Sequence, residues 1–88
     1  MRLIYSSQFK KDFKKIKRQG KDIAQLETVV ITLLNKEPLP SKYKDHKLSG
    51  RWKSFKDCHI EPDWVLIYQI TNNALILERT GSHSELFK

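Results

Sequence analysis

A chain of 88 residues with 39% hydrophobic side chains holds material for one modest core, so residues 1–88 read as a single domain. Its one cysteine, Cys58, excludes an intrachain disulfide and the stapled secreted miniprotein class, and no apolar stretch approaches the ~20 residues that cross a bilayer. Seventeen Lys and Arg against ten Asp and Glu leave +7 on a small surface, which favours an anionic partner, nucleic acid foremost, in a cytoplasmic setting.

The opening "MRLIYSSQFKKDFKK" turns charged too early for a signal-peptide core. Within it "RLIYS" predicts a short first strand, and Ser6 or Ser7 can cap a helix. In "SQFKKDFKKIKRQG", Phe9, Phe13 and Ile16 recur at i, i+4, i+7, which is one helical face. Lysines 10, 11, 14, 15 and 17 and Arg18 cover the rest, and Gly20 is placed to end the helix. A second helix fits "KDIAQLETVVITLLNKE", with Asp22 as its cap and Ile23, Leu26, Val30, Leu33 and Leu34 as its apolar stripe.

The stretch "PLPSKYKDHKLSGR" cannot continue a helix, and it reads as a long connection. From Trp52 the period changes to that of strands. "WKSFKDCHI", "WVLIYQI" and "ALILERT" predict an antiparallel meander, with turns at Glu61-Pro62-Asp63 and Asn72-Asn73. The expected fold is therefore α+β in the order β-α-α-β-β-β, two helices on one face of a small, twisted, mostly antiparallel sheet.

All three histidines, His46, His59 and His83, fall outside the helices. No CxxC, HExxH or HxH spacing accompanies them, and Cys58 and His59 are neighbours on a strand that must face opposite ways, so neither a metal nor another cofactor is expected. RNA cleavage uses these residue types together. Attack by a 2′-OH needs a base for its proton, an acid for the departing 5′-oxygen and a cation for phosphoryl charge. Imidazole, with an unperturbed pKa near ~6.5, suits both proton tasks at neutral pH. Asp63 is a candidate base or histidine orienter, Arg79 a fork for phosphate, and Trp64 and Phe87 candidate platforms for a splayed base.

The segments "DH.L.G.WK", "H.EPDW.LIY" and "ERTG.H..LF" resemble those of YafQ-type toxins in the RelE/ParE superfamily of bacterial type II toxin–antitoxin systems. The resemblance is densest from Tyr43 to Phe87. It implies a RelE-like, microbial-ribonuclease-like fold and a metal-independent mRNA endonuclease, in many relatives one that acts at codons in the ribosomal A site. It also implies a cognate, often acidic, antitoxin, with operator DNA bound only by the toxin–antitoxin complex and no membrane partner. Carried over by position, it puts catalysis on His46, His59, Asp63 and His83, with Phe87, Trp64, Arg79 and Lys53 as RNA contacts. His83 is the leading general acid or base. Two other classes stay open on the residues alone. One is a non-catalytic nucleic-acid or ribosome-binding module acting through the lysine-rich helix, and the other is a DNA gyrase inhibitor.

Overall fold

The computed structural model describes residues 1–87. Its elements are β1 (Arg2–Tyr5), α1 (Ser7–Arg18), α2 (Ile23–Leu34), β2 (His46–Lys47), β3 (Lys56–Glu61), β4 (Trp64–Ile70), β5 (Ala74–Gly81) and α3 (His83–Leu86). Single 3-10 turns lie at Ser41–Tyr43 and Gly50–Trp52. The sheet order is β1-β5-β4-β3-β2. Among the described residues only the β1–β5 pair is parallel, running from Arg2↔Ala74 to Tyr5↔Leu77.

The helices start where short polar side chains meet free amides. Ser6 Oγ accepts from Phe9 N at 2.9 Å, and Asp22 Oδ1 accepts from Ala24 N at 3.1 Å. Gly20 leaves α1 with φ +78°, a left-handed turn that favours glycine. Phe9 and Ile16 of α1 and Leu26, Val29, Val30 and Leu33 of α2 then pack on Trp64, Leu66, Tyr68, Leu75 and Leu77 of the sheet. The stripe read from the sequence is correct in direction, and Val29 adds to it. At roughly 1.5–3 kcal/mol per fully buried large side chain, this face supplies most of the driving force for folding.

Alternation along β4 sends Val65 and Ile67 to the other face of the sheet. There they meet Leu86 of α3, together with Leu48, Trp52, Phe55 and Phe87. This second, smaller cluster differs from the expected architecture in three respects. The meander's first strand begins at Lys56, because Gly50 turns at φ +65° and Trp52 folds edge-on against Phe55, ring centroids 5.5 Å apart. The long connection holds a two-residue strand, β2, and the tail after β5 forms α3. Leu48, Trp52 and Phe55 wall one side of the second face, and α3 walls the other. His46, His59 and His83 lie on β2, β3 and α3, which border this cluster.

Candidate active site

Strand register assembles the site. His46 of β2 pairs with Asp57 of β3, and Asp57 pairs with Ile67 of β4, so these three side chains form one cross-strand row on the second face. His59 pairs with Val65, and Val65 with Gly81, in the next row on the same face. His83 is two residues beyond Gly81, in the first turn of α3. A Cβ at Gly81 would stand 3.2 Å from Glu85 Oε1 and 3.6 Å from Leu86 Cδ2, so the glycine lets α3 fold back tightly onto the strand end.

His46 and His59 stand 6.5 Å apart between ring centroids. His46 Nδ1 lies 2.8 Å from the Lys44 carbonyl, which can only accept, so Nδ1 carries a hydrogen. Its Nε2 stands 3.0 Å from Asp57 Oδ1. That oxygen makes no aligned hydrogen bond among the described residues, so the two groups stand in close contact without one. His59 Nδ1 faces the Pro62 carbonyl at a longer 3.4 Å. The His83 ring leans on Phe87, centroids 4.8 Å apart.

Asp57 is the residue that sequence reasoning missed. Only 2% exposed, it lies within the electrostatic reach of His46, His59 and His83. Burial raises its carboxyl above the ordinary carboxylate range, outweighing the three histidines that draw it down. One signal for it was present in "KDCHI", where positions 57 and 59 share a strand face. The other, its pairing with His46, depends on a strand too short to show in any pattern.

Asp63, expected as base or orienter, sits exposed in the β3–β4 turn, and its Oδ1 accepts from the backbone N–H of His83 at 3.2 Å. Phe87 is half-buried beside His83, and Lys53 is exposed at the end of the Gly50–Trp52 turn.

Of the expected RNA contacts, Trp64 is buried and Arg79 is engaged within the protein. Trp64 is fully buried on the helix side, and its Nε1 donates to Thr80 Oγ1 at 2.9 Å, so it offers no face to a base. The turn at Pro62-Asp63 ends one residue before the strand, and alternation then turns position 64 inward. Arg79 sends Nε and Nη2 to the carboxylate of Asp12 at 2.8 and 3.3 Å, so the fork expected for phosphate is filled from within the protein. Asp12, the lone acid of α1, also accepts from Thr80 N and Gln8 Nε2.

Cys58 is fully buried, and burial pushes its thiol far above the range in which a thiolate forms. Among the described residues no group of three or more His, Cys, Asp or Glu side chains is arranged to hold a metal ion. No helix in the described residues is long and apolar enough to cross a membrane.

Comparison with known proteins bears on the whole chain. A family model described as the bacterial toxin of type II toxin–antitoxin system, YafQ, matches residues 1–88. The mRNA interferase toxin YafQ of Escherichia coli (strain K12) is 48% identical over 84 residues, covering 94% of this chain and 91% of the relative. The crystal structure of YafQ from E. coli strain BL21(DE3) superposes with a TM-score of 0.95 at 44% identity, over 100% of both chains. A crystal structure of the E. coli DinJ-YafQ complex contains a chain that superposes with a TM-score of 0.92 at 46% identity, again over 100% of both chains. This chain therefore belongs to the YafQ family of toxins from bacterial type II toxin–antitoxin systems.

Proposed function

We propose that the chain is an mRNA interferase that breaks RNA by attack of a 2′-OH on the adjacent phosphodiester, without a metal. The observation that carries this reading is that His46 stands 3.0 Å from the buried Asp57 and 6.5 Å from His59 on one face of the sheet, which α3 with His83 borders. The E. coli relative is named an mRNA interferase, which supports the same substrate.

Three tasks are divided among the three rings. His59 holds Nδ1 toward a carbonyl, which leaves Nε2 to take the 2′-proton as general base. As the 2′-oxygen bonds to phosphorus, charge grows on the phosphoryl oxygens. His46, with a hydrogen on Nδ1 and Nε2 beside Asp57, is the group that meets it. His83, on the opposite wall, delivers a proton to the departing 5′-oxygen as that bond breaks. The products are a 2′,3′-cyclic phosphate and a free 5′-hydroxyl. Phe87 packs against a neighbouring base, Lys53 and the lysines of α1 contribute backbone affinity, and the ribosomal A site presents the codon in an open conformation.

The partner is an antitoxin of acidic character, as the +7 charge favours and as the DinJ-YafQ complex of the relative supports. A groove of about 720 Å³ between α1, α2 and β1 suits such a partner. Tyr5, Phe13, Ile23, Val30, Ile31 and Leu34 line it, and Tyr5 and Ile31 remain 47% and 56% exposed. Lys10 and Lys14 stand against a single acid, Glu27, in its lining, so an amphipathic segment with acidic flanks is complementary to it. The toxin acts in the cytoplasm, and operator DNA is bound only by the assembled pair.

The test is end-group analysis of mRNA incubated with the purified protein, with and without ribosomes, beside His83→Ala. New cyclic-phosphate or 3′-phosphate ends that vanish in the variant are the expected result, with a loss of roughly 10²–10⁴-fold for one proton-transfer group. Ribosome dependence of those ends places cleavage in the A site. Folded protein that makes no new ends under either condition overturns the reading.

A further inference from the structure

His46 rides on a weak element. β2 has two residues, held by His46↔Asp57 and Lys47↔Lys56 at the margin of the sheet. A strand that short does not fix a side chain by its ladder alone. The residue just before it supplies what the ladder lacks. Asp45 Oδ1 accepts the hydroxyl hydrogen of Tyr68, and Asp45 Oδ2 receives Lys56 Nζ at 2.9 Å.

Alternation explains why this matters for the cleft. Tyr68 lies on the helix side of β4, where it is fully buried among Trp64, Leu66 and Leu77. Its cross-strand partner is Lys56 of β3. Asp45 therefore anchors to one face of the sheet while its neighbour His46 is delivered to the other, opposite Asp57. Lys44, whose carbonyl bonds His46 Nδ1, stands at φ +50°, so the chain turns sharply into this anchor. Burial and the Asp45 contact both push the Tyr68 hydroxyl up, so it stays protonated and donates at any working pH.

We propose that Tyr68 and Asp45 form a tie that sets the His46 ring against Asp57, which makes Tyr68 a positioning residue for RNA cleavage although its ring faces away from the cleft. The proposal deepens the ribonuclease reading and rests on it for its kinetic consequence. Tyr68 is distinct from the histidines and from Asp63, because it touches no reacting atom.

Tyr68→Phe removes the hydroxyl alone, and its effect is read in two ways. In single-turnover cleavage, kcat is expected to fall about tenfold while KM stays within about twofold, as for a group that acts only on catalytic geometry. In NMR spectra recorded without RNA, the ring signals of His46 are expected to move while those of His83 do not. Asp45→Ala, at a position that is partly exposed, should reproduce both effects. Asp45→Asn keeps an acceptor for the hydroxyl and should restore most of the rate.

Parent kcat and unmoved His46 signals in both Tyr68→Phe and Asp45→Ala would overturn the tie, even if both lower the melting temperature. Should the parent itself leave RNA uncut, the ribonuclease reading fails by itself. The His46 signals then still decide, since their movement upholds the tie and their constancy removes it.

Discussion

The backbone N–H of His83 donates to Oδ1 of Asp63 at 3.2 Å, across twenty residues of sequence and between the two ends of the cleft wall. The β3–β4 turn thereby takes hold of the first turn of α3, on which the His83 imidazole is mounted. An acid at position 63 was expected to act as base or orienter, and its contact is with the backbone that carries His83.

This contact separates charge from shape at position 63. Asp63→Asn keeps an oxygen in place to accept from His83 N, so cleavage is expected within about threefold of the parent. Asp63→Ala removes the acceptor and frees the start of α3, with an expected loss of tenfold or more. Single-turnover cleavage of a short RNA measures both. An Asn variant as poor as the Ala variant would show that the carboxylate charge itself takes part in the reaction.

Asp57 links activity to stability with opposite signs. Its carboxyl is raised in the folded protein, so the folded state holds that proton more tightly than the unfolded chain does. The stabilisation is fully present below the unfolded value near 3.8 and is lost as pH rises through the raised folded value. At neutral pH Asp57 therefore costs stability. Asp57→Asn should raise the melting temperature at pH 7, and the gain should shrink as pH falls through the raised folded value and vanish below about 3.8. The same variant should lose cleavage, because the pairing that holds His46 is gone. Thermal unfolding at several pH values, run beside a cleavage assay, checks both halves.

The legible parts of the molecule were those governed by a repeating pattern. α1 and α2 are plain from their apolar spacing, Asp22 caps α2 as expected and Ser6, one of two candidate serines, caps α1, while β4 is plain from an unbroken apolar run. The candidate site residues His46, His59 and His83 are suggested by chemistry and by family resemblance. What escaped was set by tertiary context. β2 and α3 are too short to show a period, so neither the His46–Asp57 pairing nor the seat of His83 could be read. Residue type points Trp64 and Arg79 to RNA, yet the strand read correctly at 64–70 turns Trp64 to the helix side, where it is buried. Arg79 finds its partner, Asp12, across 67 residues.

The buried position of Trp64 yields a test of that correction. Trp64→Phe removes a ring and the Nε1 hydrogen bond to Thr80, leaving Thr80 Oγ1 to its remaining bond with the Val65 carbonyl. Destabilisation of about 2–3 kcal/mol is expected, from lost packing and the lost hydrogen bond. RNA affinity of the folded variant should be unchanged. Filter binding at a temperature well below the variant's melting point makes the comparison. A selective loss of affinity would return Trp64 to the RNA surface.

Glu85 is the clasp that holds α3 against α1, and it should make the His83 wall sensitive to acid. Its carboxylate pairs with Lys15 and closes a capping box with Ser82, whose backbone N and Oγ donate to Oε1 at 3.0 and 2.9 Å. Lys15 first, then Ser82, holds the Glu85 carboxyl at about 2, below its ordinary value of 4.5. For an acid depressed in this way, the stabilisation is present above about 4.5 and is lost as pH falls through about 2. Amide hydrogen exchange should therefore show α3 protected at pH 5 and opening before the rest of the fold as the pH approaches 2. Glu85→Ala should open α3 already at pH 7 and slow cleavage about tenfold, since His83 is carried on the loosened turn. Exchange that reports α3 opening only together with the sheet would mean that Leu86, buried against Val65 and Ile67, holds the helix without the clasp.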